Sequence, residues 1–312
     1  MVFCQSLKIF EVKIGGLMFG FDTFSGYLGH ILWILFDFTG NYGMAVIIFT
    51  FIVNILTLPI VIKTNHKMGS NEKFEAKKED LKKKFGNDPQ KFNQECMELA
   101  QREGINPLKG SMIPMILTII IFSLIYSTVQ KPLSSVLHFS KEQVSQSTSV
   151  LTDEQKKQKG SDQLDLIRSF QDVKGQLSMF NAEELDKISR LSKGFNFLGI
   201  NLLDIPKYSP FNNMIWILPI LGFFISAVSR NILQKTSGIT IESKGLAKYG
   251  VYFFSFFQAW IISRVFAVLG LYLIVNNIMG TVNSIIVDRF FSFHMMRAKK
   301  ELKRFNKLMN NN

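Results

Sequence analysis

The sequence predicts an all-α integral membrane protein. Its expected elements are five transmembrane helices, an amphipathic interfacial helix, a cytoplasmic helical hairpin and an inserted extracytoplasmic helical segment. Three observations carry this expectation. The 312-residue chain combines 30 phenylalanines and a mean hydropathy of +0.17 with a net charge of +12. Soluble domains rarely pair so much aromatic apolar mass with so basic a balance, whereas a multi-span protein keeps its charges in loops. Several uncharged apolar runs approach the roughly 20 residues that a helix needs to cross about 30 Å of hydrocarbon. Lysine and arginine run dense in the connections that the positive-inside rule puts in the cytoplasm. Segment 130–212 is also rich in lysine, but its acids nearly balance them, and long loops translocate largely regardless of charge.

Taken in order, residues 1–39 form an N-terminal segment with an interfacial helix. Cys4 follows no apolar stretch, so "MVFCQSLKIF" is expected to stay on the mature protein. Cys4 and Cys96 are the only cysteines, which excludes a disulfide framework and a CxxC metal ligand set. "FSGYLGHILWILFDF" (Phe24–Phe38) is apolar but short and bounded by Asp22 and Asp37. It reads as an interfacial helix with Trp33 and the phenylalanines at headgroup level, the alternative being a sixth span.

Span 1 is placed at 40–62, around the uncharged run Tyr42–Ile62, and span 2 at 108–129. Between them, 63–107 reads as a helical hairpin. Asp88 and Pro89 supply an N-cap and a first-turn proline, and Gly104 supplies a stop. Phe92, Cys96 and Leu99 fall on one face, and Phe74, Leu81 and Phe85 make a matching stripe upstream of a Gly86-Asn87 turn. A solvated charged connector is the alternative.

Residues 130–211 form the extracytoplasmic segment. It is polar and expected to be mobile from Lys141 to Ser161, then helical, with Asn181 as N-cap, Glu184 completing a capping box and Gly194 as stop. Span 3 is placed at 212–230 and a basic loop at 231–247. The apolar region Tyr249–Val287 is interrupted only by Arg264. As one helix it reaches about 58 Å, roughly twice the bilayer core. It is therefore divided into span 4 (248–265) and span 5 (266–288), with a reversal near Arg264–Gly270. A basic tail, 289–312, follows. With five spans, the hairpin, the loop at 231–247 and the tail share the cytoplasmic side, so the N-terminus lies outside and the C-terminus inside.

His30, His66, His138 and His294 read as scattered over different compartments. No nucleophile elbow, phosphate loop or His/Cys/Asp cluster is present. The chain is not expected to be an enzyme, and neither a cofactor nor a metal is expected.

Four segments in register resemble the YidC/Oxa membrane-protein insertases of the bacterial YidC type. "GNYGMAVIIFTFIVNILTLPI" is similar to the family's G-N-x-G-x-A-I-I run ending in L-P. "KKKFGNDPQKFNQECMELAQREGINPLKG" is similar to its K-x-D-P-Q-K hairpin turn and N-P-x-x-G. "IWILPILGFF" and "GLYLIVNNI" are similar to its third span and its L-Y-W-x-x-x-N end. By their order and spacing the resemblance extends over residues 22–290. The resemblance implies a five-helix core around a hydrophilic groove, open to the cytoplasm and to lipid and closed outside, in a bacterial plasma membrane. It implies an insertase and chaperone for nascent membrane proteins, working alone or with the Sec translocon, without nucleotide or metal. The basic tail suits either the ribosome or anionic lipids.

Polar chemistry inside apolar spans, together with the family arrangement, assigns the groove to Thr50, Asn54, Thr57, Thr118, Ser123, Tyr126, Gln258, Asn276 and Asn277. The chain also departs from the family. Asn54 stands where many bacterial relatives have a groove arginine, Thr118 where a glutamine is usual, and Ile120 where a proline is. Phe266 and Leu273 replace a proline and a tryptophan, and the second span holds one extra residue between Gly110 and Pro114. Asn54 reads as groove lining or as an interhelical hydrogen bond. Arg264, counted to the outer end of its span, reads as snorkelling to the headgroups. Two other function classes remain. One is a scaffold derived from an insertase that lost its activity. The other is a small-solute transporter, which the lack of an inverted repeat and of acidic residues inside the apolar runs disfavours.

Overall fold

In the computed structural model the described residues are 18–69, 72–85, 88–102, 107–152, 155–156, 162–236 and 250–291. The N-terminal decapeptide, the Gly86-Asn87 turn, Gly104, most of the basic loop, His294 and the tail beyond Phe291 lie outside them. The described chain is almost wholly helical. In chain order the helices are α1 (Met18–Thr39), α2 (Tyr42–Gly69), α3 (Glu72–Phe85), α4 (Pro89–Arg102) and α5 (Pro107–Gln130). The short α6 (Pro132–Ser135), α7 (Lys141–Ser149), α8 (Asp162–Arg168), α9 (Phe170–Val173) and α10 (Ala182–Gly194) follow. An antiparallel pair, β1 (Asn196–Phe197) and β2 (Ile200–Asn201), precedes α11 (Ile217–Thr236), α12 (Gly250–Ile262) and α13 (Ala267–Phe291).

Among the described residues, three stretches are long and apolar enough to cross a membrane: Tyr42–Ile62, Met214–Leu233 and Ala267–Val287. Ile116–Gln130 in α5 and Tyr252–Ile262 in α12 are apolar over shorter lengths. The expected reversal near Arg264–Gly270 falls slightly earlier. α12 ends at Ile262 and α13 is already helical at Ala267. The start is fixed because the N–H groups of Ala267 and Val268 donate to the carbonyls of Asp204 (2.8 Å) and Leu202 (3.0 Å). First-turn amides have no partner inside their own helix, and here distant backbone supplies one.

The chain divides into two compact units. Unit 1 holds 1–49, 119–216 and 264–272; unit 2 holds 50–118, 217–263 and 273–312.

Unit 1 has a dry core. Leu164, Leu166, Ile167, Phe170, Ile188 and Leu191 are buried at 2% exposure or less, each contributing about 1.5–3 kcal/mol of hydrophobic stabilisation. The expectation of mobility over Lys141–Ser161 is corrected for its first half. Lys141–Ser149 is helix α7, closed by a reciprocal capping box between Ser140 and Gln143, with Ser147 fully buried. Residues 153–154 and 157–161 lie outside the described chain. The second capping box, Asn181 with Glu184, forms as expected: Asn181 Oδ1 accepts from Glu184 N at 2.8 Å, and Asn181 N donates to Glu184 Oε2 at 2.9 Å. The β1–β2 pair shows that this segment is not purely helical.

Close approaches hold this segment on α1 and on the start of α2. A Cβ on Gly29 would lie 1.8 Å from the Ser135 carbonyl oxygen, and one on Gly194 would lie 2.1 Å from the Phe36 ring. Gly194 is the last residue of α10, and its missing side chain admits an aromatic ring that a larger residue would meet. The Arg190 guanidinium meets Asp37 at 2.6 Å, and Asn41 Nδ2 donates to Asn196 O at 2.7 Å. Asp165, fully buried, is paired with Arg168 at 3.2 Å; Arg168 also donates to the Leu203 carbonyl and faces Asp204 at 3.7 Å. A buried carboxylate without such a partner would be strongly destabilising.

In unit 2, α3 and α4 pack as a hairpin. Asp88 Oδ1 accepts from Lys91 N at 3.2 Å, which is the expected N-cap, and Pro89 opens α4. Phe92 is buried, while Cys96, Leu99, Leu81 and Phe85 are half-buried; the Phe74 side chain lies outside the described set. A seam this narrow joins two helices but makes no domain core.

Candidate polar site within the spans

Unit 2 reverses the burial pattern of a soluble protein. On α2, Thr50, Asn54 and Thr57 recur at i, i+4 and i+7 and so share one face. Thr50 and Asn54 are 1% and 8% exposed, whereas Phe51, Ile52, Ile55, Leu56 and Ile60 are 40–69% exposed. On α12 the phenylalanines at 253, 254, 256 and 257 are exposed while Ser255 is fully buried. On α13, Ile278, Val282 and Ile285 face outward, whereas Thr281 and Asn283 are buried. On α11 a Cβ at Gly222 would lie 2.3 Å from Ile262 Cδ1, which shows how closely backbone and side chain approach there. Apolar surface facing out, with small and polar residues inside, is the arrangement that hydrocarbon surroundings select.

α13 joins the polar groups. Asn54 Nδ2 donates to Asn276 Oδ1 at 3.1 Å and to the Thr50 carbonyl at 2.9 Å. Asn283 Nδ2 donates to the Asn54 carbonyl at 3.3 Å and lies 3.5 Å from Asn54 Oδ1. Thr57 Oγ1 donates to the Asn54 carbonyl at 3.2 Å. The next residue on α13 turns to a different helix: Asn277 Nδ2 donates to Gln258 Oε1 of α12 at 2.9 Å. The interhelical hydrogen bond expected as one role of Asn54 is therefore present, and each such bond is worth about 0.6–2 kcal/mol.

Of the nine expected residues, Asn54 with Thr50, Thr57 and Asn276 forms one cluster, and Gln258 with Asn277 forms a second. Thr118, on α5 in the same unit, is half-buried. Ser123 and Tyr126 belong to unit 1. There the Tyr126 hydroxyl accepts from Gln130 Nε2 at 2.7 Å, and its ring lies 6.3 Å from that of Phe266.

Asn283 was not expected. It lies seven residues after Asn276, two helical turns along the same face, and that spacing is the signal that would have found it. Ser226 and Arg230, one turn apart on α11, were also missed. Ser226 is fully buried; its Oγ and Arg230 Nε lack a hydrogen-bond partner among the described residues, and the Arg230 guanidinium lies 4.9 Å from the Phe254 ring. Arg230, the last residue of the expected span 3, is half-buried inside α11, which continues past it to Thr236. Arg264 is exposed.

The histidines are not all scattered. Within unit 1 the rings of His30 and His138 lie 5.7 Å apart, because α1 packs on α6, just ahead of His138. Burial, and secondarily the charge of His30, lowers the His138 pKa below its ordinary 6.5. Among the described residues no group of three or more His, Cys, Asp or Glu is assembled to hold a metal ion.

A family profile described as 60Kd inner membrane protein matches residues 34–294. Proteins named membrane protein insertase YidC share shorter stretches. The protein from Caldanaerobacter subterraneus subsp. tengcongensis is 43% identical over 99 residues, 32% of this chain and 48% of its own length. Those from Citrifermentans bemidjiense and an Anaeromyxobacter species are 39% identical over 99 residues and 32% identical over 119. These two matches cover 32% and 38% of this chain, and 18% and 22% of those proteins. The aligned stretches thus span about half of the first relative and about a fifth of the other two. Apolar helices, inverted burial and a profile match over most of the chain agree: this is a multi-pass, all-α membrane protein, and it belongs to the 60Kd inner membrane protein family.

Proposed function

We propose that the chain is a membrane-protein insertase and chaperone of a bacterial plasma membrane, acting on nascent membrane proteins alone or beside the Sec translocon. The observation that carries this reading is the set of amides and hydroxyls on α2, α12 and α13, buried behind exposed apolar faces, in a chain whose relatives bear an insertase name. Five helices cross the bilayer, with the N-terminus outside and the α3–α4 hairpin and the C-terminus in the cytoplasm. Thr50, Asn54, Thr57, Thr118, Ser123, Tyr126, Gln258, Asn276 and Asn277 line a hydrophilic groove open to the cytoplasm. Polar backbone and side chains cost several kcal/mol in hydrocarbon unless hydrated or paired. A wet groove through part of the bilayer shortens the dry path, and the client's own apolar segment supplies the driving force as it enters lipid. The potential assists suitably charged tails by about 2.3 kcal/mol per charge per 100 mV. The basic loop and tail bind the ribosome or anionic lipid.

The test is replacement of the resident insertase in a depleted bacterium by this chain, read as growth and as insertion of a single-span reporter. Restored insertion supports the proposal. A stably expressed, membrane-integrated chain that restores neither rejects it. A scaffold is the second reading, favoured by the mutual pairing of Asn54 and Asn276, which leaves less hydrogen-bonding capacity for a client.

A further inference from the structure

The segment leading into α11 presents large apolar side chains outward. Leu198 is 77% exposed, Tyr208 72%, Phe211 82% and Met214 61%. Leu198 and Gly199 form the tip of the β1–β2 turn with φ of 52° and 81°. Two consecutive left-handed residues make a turn that favours Asn-Gly; leucine is sterically poor there, and in water it gains nothing from its exposure. A Cβ on Gly199 would lie 3.9 Å from Met214 Sδ, so the tip sits over the first residue of the span Met214–Leu233. Phe211 precedes that residue by three positions, at most about 10 Å of extended chain. Its ring stacks on Trp216 at 4.2 Å, and Trp216 Nε1 donates to the Ser209 carbonyl. The Lys207 ammonium lies 5.3 Å from the centre of the Tyr208 ring. Aromatic rings with an adjacent cation, beside the end of a span, have the chemistry of the headgroup layer.

We propose that the β1–β2 tip and residues 207–214 dock into the lipid headgroup and upper acyl region beside the end of the span Met214–Leu233. The bilayer is the occupant because the patch is continuous with a span end. The inference rests on that span and not on the insertase reading. The test places a single cysteine at Leu198 or at Phe211 in a Cys4→Ser, Cys96→Ser chain. The cysteine is labelled with an environment-sensitive fluorophore, and the full chain is reconstituted in phosphatidylethanolamine–phosphatidylglycerol vesicles. Gln171→Cys, at an exposed site, is the aqueous reference. Expected are blue-shifted emission, about fivefold lower iodide quenching than the reference, and stronger quenching by spin labels near the headgroup than deep in the chains. Iodide quenching equal to the reference at both sites overturns the proposal. That holds also if protection appears only in native membranes, which would assign the patch to a protein partner. Either cysteine alone suffices if the other variant fails to fold.

Discussion

The Asn54 side chain on α2 donates to the Asn276 side chain on α13 at 3.1 Å, across 222 residues of sequence, while Asn283 donates back to the Asn54 carbonyl. Removing the Asn54 amide takes the donor from Asn276 Oδ1, while Asn283 keeps the Asn54 backbone carbonyl as its acceptor. Asn54→Leu is expected to destabilise the protein by about 1–2 kcal/mol, and a double-mutant cycle with Asn276→Leu to give a coupling of about 0.6–2 kcal/mol. Unfolding in detergent measures both; additivity of the two losses would mean the amides are energetically independent.

Insertion gives the companion measurement at the same position. Asn54→Leu is expected to impair insertion of a single-span reporter, and Asn54→Arg to favour reporters with acidic tails. The attraction is roughly 4 kcal/mol at about 4 Å and an effective dielectric near 20, before the cost of burying the charge. The advantage shrinks as acids are removed from the tail. Equal insertion of every reporter by Asn54→Leu and wild type would make this amide a packing element.

Two glycines on one turn of α1 separate close packing from helix propensity. Gly29→Ala is expected to cost about 1–3 kcal/mol or more, because its methyl meets the Ser135 carbonyl, which is backbone. Gly26→Ala, with nothing within 4 Å, gains up to about 1 kcal/mol from helix propensity. Thermal unfolding orders the variants as Gly26→Ala, wild type, Gly29→Ala. Tolerance of Gly29→Ala would mean that α1 does not lie against Ser135.

The contribution of His138 to the stability of unit 1 is expected to fall on acidification. Because the folded state lowers the His138 pKa, the unfolded chain takes up a proton first as pH drops through 6.5. The stability present above that value is lost as pH falls toward the lowered folded pKa. Wild type therefore loses more melting temperature between about pH 8 and pH 5.5 than His138→Gln does. Equal losses would show that His138 carries none of the pH dependence.

Protease added to inverted vesicles is expected to cut the α3–α4 hairpin before any span, since its seam is narrow and Phe92 is its one large buried side chain among the described residues. Protection equal to that of the spans would indicate a docked hairpin.

What could be read from the sequence alone was local. Uncharged apolar length marks Tyr42–Ile62 as membrane-crossing, because bilayer thickness sets one scale for every helix. Asn181 with Glu184, and Asp88 ahead of Lys91, declare helix starts because the capping groups sit three residues from the amides they satisfy. The identity of Asn54 as an amide in an apolar run was equally plain. Its partners were not: a lone amide in lipid only has to find some donor or acceptor, and which one depends on helix rotation and crossing. The pairing of α2 with Asn276 and Asn283, and of Asn277 with Gln258, was decided by that packing. So were the meeting of His30 with His138 and the capping of α13 by the Leu202 and Asp204 carbonyls. Local patterns specify which segments become helices because hydrogen bonds and hydrophobicity act within a turn or a bilayer width. Contacts between helices come only from the three-dimensional fit of their faces, and there the chain assembled the polar groups inside its spans.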